Sequence, residues 1–325
     1  MKLSKLLIIV IATSAFLFTA CSTEEDDSLT RHEMVFQISM GNNETRATID
    51  DTWTVGDTVA VRVGTTVKKY VVATTNGDVQ GADKANNTFY WEDLGGSSVE
   101  VTAWSFGKRY VETLDGLVTI FEDQSSDANF VGSDFLYATP TVITRESSLN
   151  SLQFYHQMAL MNINIKLDDP SNGIKDVLIG YDPYSVNYGG SGAISIIGAP
   201  FNVPTKDVDT QEYPKYGEFD TYDGDNLEYG TIIPHQKETA EDGFTASYSA
   251  VMIPFGYESF IITLRLSDNT EFSFTPVYAE FIAGTRVNYN ITVNNGELSV
   301  DVGNNSGEAA GSLDPVTVNN WRLVQ

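Results

Sequence analysis

Sulfur, imidazole and positive charge are scarce in this chain of 325 residues. Cys21 is its single cysteine, so no disulfide can form within it. The three histidines, His32, His156 and His235, stand far apart, and no Cys/His cluster has zinc spacing. HExxH is absent, and no GxSxG elbow, P-loop or GxGxxG follows a strand. Gly189-Gly190-Ser191-Gly192 lacks the lysine and the following helix that a phosphate loop needs, and reads as a turn. His156 sits inside an apolar strand, where a satisfied core histidine is the ordinary role. These absences lead to the expectation of a protein with no enzymatic activity, metal or cofactor.

Two weaker patterns remain. Asp220, Asp223, Asp225 and Glu228 could gather oxygen ligands on one loop, but their spacing is not that of an EF-hand and a solvated acidic loop is preferred. Trp104 with Tyr181, Tyr184 and Tyr188 could form a sugar-stacking platform, although aromatic residues in β-proteins ordinarily pack in the core or along sheet edges.

The deficit of positive charge is larger than it first looks. Lys2 and Lys5 precede Cys21, which leaves 17 basic against 44 acidic residues beyond it, a formal charge of −27. Such a surface excludes non-specific nucleic-acid binding, which requires the opposite sign to neutralise phosphates. It argues equally against docking on anionic lipid by charge, and it favours solubility.

Long apolar runs are also missing, with one exception. Leu6 to Phe18 is nearly continuous, yet it falls short of the roughly 20 residues that cross a bilayer. Behind the basic Lys2 and Lys5 it has the form of an export signal. Phe18-Thr19-Ala20-Cys21 resembles the bacterial lipobox, which implies lipidation at Cys21 and removal of residues 1–20. The acidic tether Ser22 to Asp27 resembles the surface-export signals of Bacteroidetes lipoproteins, and is also a solvated linker in its own right.

What the chain has in abundance is Val, Ile, Thr, Tyr and Phe punctuated by Gly and Asn, the usage of a β-protein. No stretch shows a sustained helical period. Met34, Phe36, Ile38 and Met40 alternate with polar or smaller neighbours and predict a first strand with one apolar face. Further strands are expected at Val59–Val63, Tyr70–Ala73, Phe89–Trp91, Val99–Ala103, Leu117–Phe121 and Phe135–Ala138. Between Leu152 and Leu167 the apolar parity changes, which predicts a bulge or break near Ala159-Leu160. Asp168 to Gly173 is a strong loop signal and marks the expected domain boundary. Strands near Val177–Gly180 and Ala193–Ile197 follow, then a tyrosine-rich acidic stretch read as long loops. Alternation returns at Phe260–Leu266, Phe272–Phe274, Val287–Val293 and Leu298–Val302. A Gly/Asn/Ser connector, Gly303 to Ser312, leads to Val316, Val318, Trp321 and Leu323, whose change of phase predicts a bulge at Asn319-Asn320.

Several segments together resemble the fimbrillin family, the type V pilins and fimbrillin-like lipoproteins of Bacteroidales. They are Thr45-Arg46-Ala47-Thr48, Trp53-Thr54-Val55-Gly56-Asp57 and the L-x-F-x-H segment Leu152 to His156, then Ile253-Pro254 and Gly284 to Val293. The resemblance implies an all-β chain with two tandem transthyretin-like β-sandwich domains after the lipoprotein signal. The corresponding divisions are residues 21–46 as lipidated tether and first strand, 47–167 as one domain and 168–325 as the other. It further implies a bacterial outer-membrane precursor that an arginine-specific protease cuts between Arg46 and Ala47, with Arg31 a competing site. The first strand would then leave, and a C-terminal strand of another subunit would fill its groove by strand addition. Residues 296–325 hold the donor candidates: Leu298, Val300 and Val302, or Val316, Val318, Trp321 and Leu323. The alternative for the same segments is an ordinary pair of closing strands in the second domain. The function expected is a fimbrial structural subunit whose partners are other fimbrial subunits. The alternative is an uncleaved surface lipoprotein, a fimbrial anchor or a tip adhesin that binds glycan or host protein.

Overall fold

The computed structural model describes residues 31–41, 52–147, 150–180, 195–221, 226–257, 261–274, 279–294 and 296–304. The first part of the chain runs through β1 (Phe36–Met40), β2 (Thr58–Val63), β3 (Thr66–Val72), β4 (Asp78–Gly81), α1 (Trp91–Leu94) and β5 (Ser98–Ser105). It continues with β6 (Leu117–Thr119), α2 (Asp127–Ser133), β7 (Leu136–Thr144) and β8 (Asn150–His156). Seven of these strands form one sheet in the order β1-β4-β3-β2-β5-β7-β8, and β8 returns to pair with β1, so the sheet closes into a barrel. Closure removes the free edges of an open sheet. The barrel interior is filled by residues of one parity from each strand, among them Phe36, Ile38, Val59, Val61, Tyr70 and Phe154.

The rest of the chain contributes β9 (Ala159–Leu167), β10 (Ile174–Ile179), β11 (Ser195–Asn202), β12 (Glu218–Phe219), β13 (Glu228–Gly230) and β14 (His235–Gln236). Then come β15 (Ala246–Met252), β16 (Phe255–Tyr257), β17 (Ile262–Leu266), β18 (Glu271–Phe274), β19 (Ala279–Phe281), β20 (Arg286–Asn294) and β21 (Glu297–Asn304). A five-stranded sheet, β14-β15-β9-β20-β21, and a three-stranded sheet, β10-β17-β18, share a second core. Met161, Ile163 and Ile165 of β9 and Tyr289 and Ile291 of β20 supply one side of it, and Ile262, Leu264, Phe272 and Phe274 the other. The Phe274 and Tyr289 rings meet with centroids 6.3 Å apart. β11 pairs with β12, β13 and β6, which ties the Leu117–Thr119 strand to this second part, and β16 pairs with β19.

The pairing bears on three sequence expectations. The break expected near Ala159-Leu160 falls at Gln157-Met158, where β8 of the barrel ends and β9 of the five-stranded sheet begins. β9 pairs with β15 and β20, so the chain changes sheets between β8 and β9. The loop signal from Asp168 to Gly173 is real, but it joins β9 to β10, two strands that line the same core. Lastly, the strand expected over Phe89–Trp91 is replaced by a bridge at Tyr90 and the single turn of α1. Trp91 is buried in the barrel core although it opens a helix, and one turn is too short to show a 3.6-residue period.

Candidate functional site

The strand that the resemblance singles out, Met34 to Met40, is the strand that closes the barrel. Met34, Phe36 and Ile38 are fully buried and Met40 half-buried, while the intervening Val35 is 52% exposed. β1 lies antiparallel to β4 (Phe36 opposite Val79, Gln37 opposite Asp78) and parallel to β8 (Phe36 opposite Asn150 through Met40 opposite Phe154). Its ladder is extended by Ile38 N–H to the Gly77 carbonyl at 2.8 Å and Gly41 N–H to the Phe154 carbonyl at 2.7 Å. Gly77 has φ +88°, and a Cβ there would stand 1.9 Å from the Ile38 carbonyl oxygen, so the turn before β4 accepts β1 only with glycine at this position.

β8 leans on β1 for most of its length. β7 pairs with β8 only where Leu136, Tyr137 and Ala138 face His156, Tyr155 and Phe154. Pro140 of β7 has no N–H to offer beyond that point. The pairs of Asn150 to Gln153 are therefore with β1. Burial of Met34, Phe36 and Ile38 contributes about 1.5–3 kcal/mol for each side chain. Removing β1 would uncover that apolar lining together with the strand edges of β4 and β8.

Ahead of β1, residues 31–34 form an arm fixed to the α1 turn. Met34 N–H donates to the Phe89 carbonyl (2.9 Å), Trp91 N–H donates to the His32 carbonyl (3.0 Å), and Glu33 bridges Tyr90. The Glu92 carboxylate brackets His32, accepting from its backbone N–H at 2.8 Å and lying 2.7 Å from its Nδ1. Arg145 donates to the same carboxylate at 2.7 Å. Arg145 also lies 2.9 Å from His32 Nδ1, but a nitrogen whose proton goes to Glu92 cannot accept from a guanidinium, so the shared carboxylate is the partner of both. Arg31 pairs with Asp93 and lies 3.9 Å over the Tyr90 ring.

Desolvation pushes the Glu92 carboxyl upward, but the His32 hydrogen bonds and the Arg145 charge together outweigh it and hold the group at about 2. A depressed carboxylate stabilises the folded arm above its ordinary value of 4.5 and loses that contribution as pH falls toward 2. An NMR titration is expected to find the Glu92 midpoint near pH 2, with the His32 amide, which donates to that carboxylate, shifting alongside it.

At the other end, β21 pairs with β20 along its length, from Asn294 opposite Glu297 to Val287 opposite Asn304. Leu298 and Val300 are buried, Val302 is half-buried, and Ser299 and Asp301 face outward. β21 stands at the end of its sheet. Cys21, Arg46, Ala47, Val316, Val318, Trp321 and Leu323 lie outside the described residues, as do Tyr181, Tyr184, Tyr188, Asp223 and Asp225. Trp104 is buried, with its indole N–H given to the Val111 carbonyl at 2.7 Å, and offers no ring face to a sugar. His156 is buried with Nδ1 3.0 Å from Asp134, and His235 stacks on Phe130 at 4.8 Å. Among the described residues no group of three His, Cys, Asp or Glu side chains is arranged to hold a metal.

Solved structures with the same architecture include a candidate cell adhesion protein of Bacteroides uniformis. It is 17% identical, with a TM-score of 0.56 over 85% of this chain and 98% of that one. A candidate cell adhesion protein of Bacteroides ovatus is 16% identical, with a TM-score of 0.54 over 84% of this chain and 95% of its own. These likenesses show the fold. No curated protein matches the sequence. The model of the fimbrillin-like family matches residues 45–321, from the segment after the first strand to the C-terminal region, and the chain belongs to that family.

Proposed function

We propose that this protein is a structural subunit of a cell-surface fimbria, made as a lipoprotein precursor and assembled by strand exchange after proteolysis at Arg46. Membership of the fimbrillin-like family supports a fimbrial or adhesin subunit at the cell surface. The observation that carries the finer reading is that β1 closes the barrel yet is joined to β2 through the segment that contains Arg46. A cut there makes β1 a separate peptide held only by packing and hydrogen bonds. Its departure would leave two strand edges beside an apolar groove, which an extended segment of a second copy can occupy by strand addition. Lipid at Cys21 holds the precursor at the outer membrane until the cut, and then stays with the excised piece.

The pairing of β21 bears on the donor. Leu298, Val300 and Val302 are already engaged with β20 and the second core, and withdrawing them would open the subunit that donates them. We therefore assign the donor to Val316, Val318, Trp321 and Leu323, beyond the Gly303–Ser312 connector. Treatment with an arginine-specific protease is expected to yield a new N-terminus at Ala47 and a ladder of polymers on denaturing gels. A chain truncated after Ser312 should be cut equally well and remain monomeric. Resistance at Arg46, or clean cleavage that leaves only monomers of the full chain, would sink the reading.

A further inference from the structure

Arg31 and Arg46 are the only basic residues between Lys5 and Arg62, so an arginine-specific protease meets two bonds ahead of β2. The two cuts have opposite consequences. Cleavage after Arg46 separates β1 from the body of the barrel. Cleavage after Arg31 removes only what precedes it and leaves β1 covalently attached, which gives a closed barrel with no groove and no lipid.

We propose that the clamp on residues 31–34 shields the Arg31–His32 bond, so that processing cannot yield the closed, unlipidated barrel. This rests on the reading that a protease of arginine specificity processes the arm. Such enzymes bind their substrate as an extended strand, with its backbone groups free to pair and the arginine side chain free to enter a pocket. Both sets of groups are already engaged here, although the Arg31 and His32 side chains stay 47% and 62% exposed. The Arg31 guanidinium is engaged by Asp93 and the Tyr90 ring. On the other side of the bond, the His32 N–H is given to Glu92 and its carbonyl accepts from Trp91 N–H. Exposed ion pairs are individually weak. These, however, belong to one network with backbone hydrogen bonds, and the next turn of the chain buries Met34 completely in the barrel. The arm must open before the bond can be cut, so the cleavage rate follows the population of the open state.

The test is a time course of the full-length chain with an arginine-specific protease, with products identified by intact mass. The wild-type chain should give no product that begins at His32 and still runs through Arg46 into β2 during the first half-life of cutting at Arg46. The double variant Glu92→Gln/Asp93→Asn should release that product at least about tenfold faster, with the Arg46 rate unchanged. Hydrogen exchange at the His32 and Met34 amides of the uncut variant reports arm opening independently of any cleavage. Wild-type cutting at Arg31 as fast as at Arg46 would overturn the proposal, and so would a variant whose arm exchanges faster without faster cutting at Arg31. Resistance of Arg46 in both proteins, with Arg31 exposed only in the variant, would uphold the clamp and remove the processing site assigned above.

Discussion

Phe36→Ala is expected to lower the unfolding free energy by about 3–5 kcal/mol, the usual cost of deleting a buried aromatic ring. Phe36 is 1% exposed and meets Tyr70 edge-on, with centroids 5.3 Å apart at 85°. Tyr70 is itself constrained: its hydroxyl accepts from Phe89 N–H at 2.9 Å, its ring stacks on Phe89 at 6.4 Å, and burial pushes its phenol up so that it stays neutral. The surrounding side chains therefore cannot collapse into the space that the ring vacates. Gln37→Ala, one residue along on the outward face, should change stability by less than about 0.5 kcal/mol. Urea titrations of both variants provide the measurement. The contrast is informative because whole domains are stable by only about 5–15 kcal/mol. The same loss appears in the assembly step as faster departure of the excised strand, by more than about a hundredfold if the 3 kcal/mol falls on the dissociation rate. A drop below about 1 kcal/mol would mean that β1 is not part of the cooperative barrel.

The residues that make β1 and β20 readable are the ones with strict alternation. Met34, Phe36, Ile38 and Met40 announce a half-buried strand because a sheet with one wet face demands period two, and Val287, Tyr289, Ile291 and Val293 do the same. Alternation names a face, though not a partner. Nothing in Phe36–Met40 says that it will lie parallel to Asn150–His156, because that choice is made by backbone edges that any sequence carries. The change of sheet at Gln157-Met158 is hidden for a related reason. The apolar run continues through it, and only the slip in parity marks the place where the barrel strand ends. The clamp was invisible for want of any local signal. His32 and Glu92 are 60 residues apart in sequence, and Arg145 approaches His32 from a separation of 113. Charges so placed look like ordinary solvated side chains until the fold brings them together. The proposed lipidation and cleavage positions are the reverse case, since they are read from short local motifs and owe nothing to tertiary structure.

A disulfide between positions 37 and 78 is expected to abolish assembly while leaving proteolysis untouched. Gln37 and Asp78 are opposite one another across β1 and β4, and both side chains point away from the barrel core. Ile38 N–H bonds to the Gly77 carbonyl, so the neighbouring pair is the hydrogen-bonded one and Gln37–Asp78 is not. Non-hydrogen-bonded antiparallel pairs have Cα atoms about 4.5 Å apart, within the range of about 4.4–6.8 Å that a disulfide spans without strain. In a Cys21→Ser background, Gln37→Cys/Asp78→Cys supplies the only two thiols. Oxidation should add about 3–4 kcal/mol by closing the loop between the two positions. The oxidised protein should still be cut at Arg46, yet the excised strand should stay bonded to β4 on non-reducing gels and no ladder should form. Adding dithiothreitol to the same sample should release the peptide and restore polymers, which separates a blocked groove from a damaged subunit. Polymerisation of the oxidised, cleaved protein at the rate of the reduced one would show that β1 is not the strand that assembly replaces.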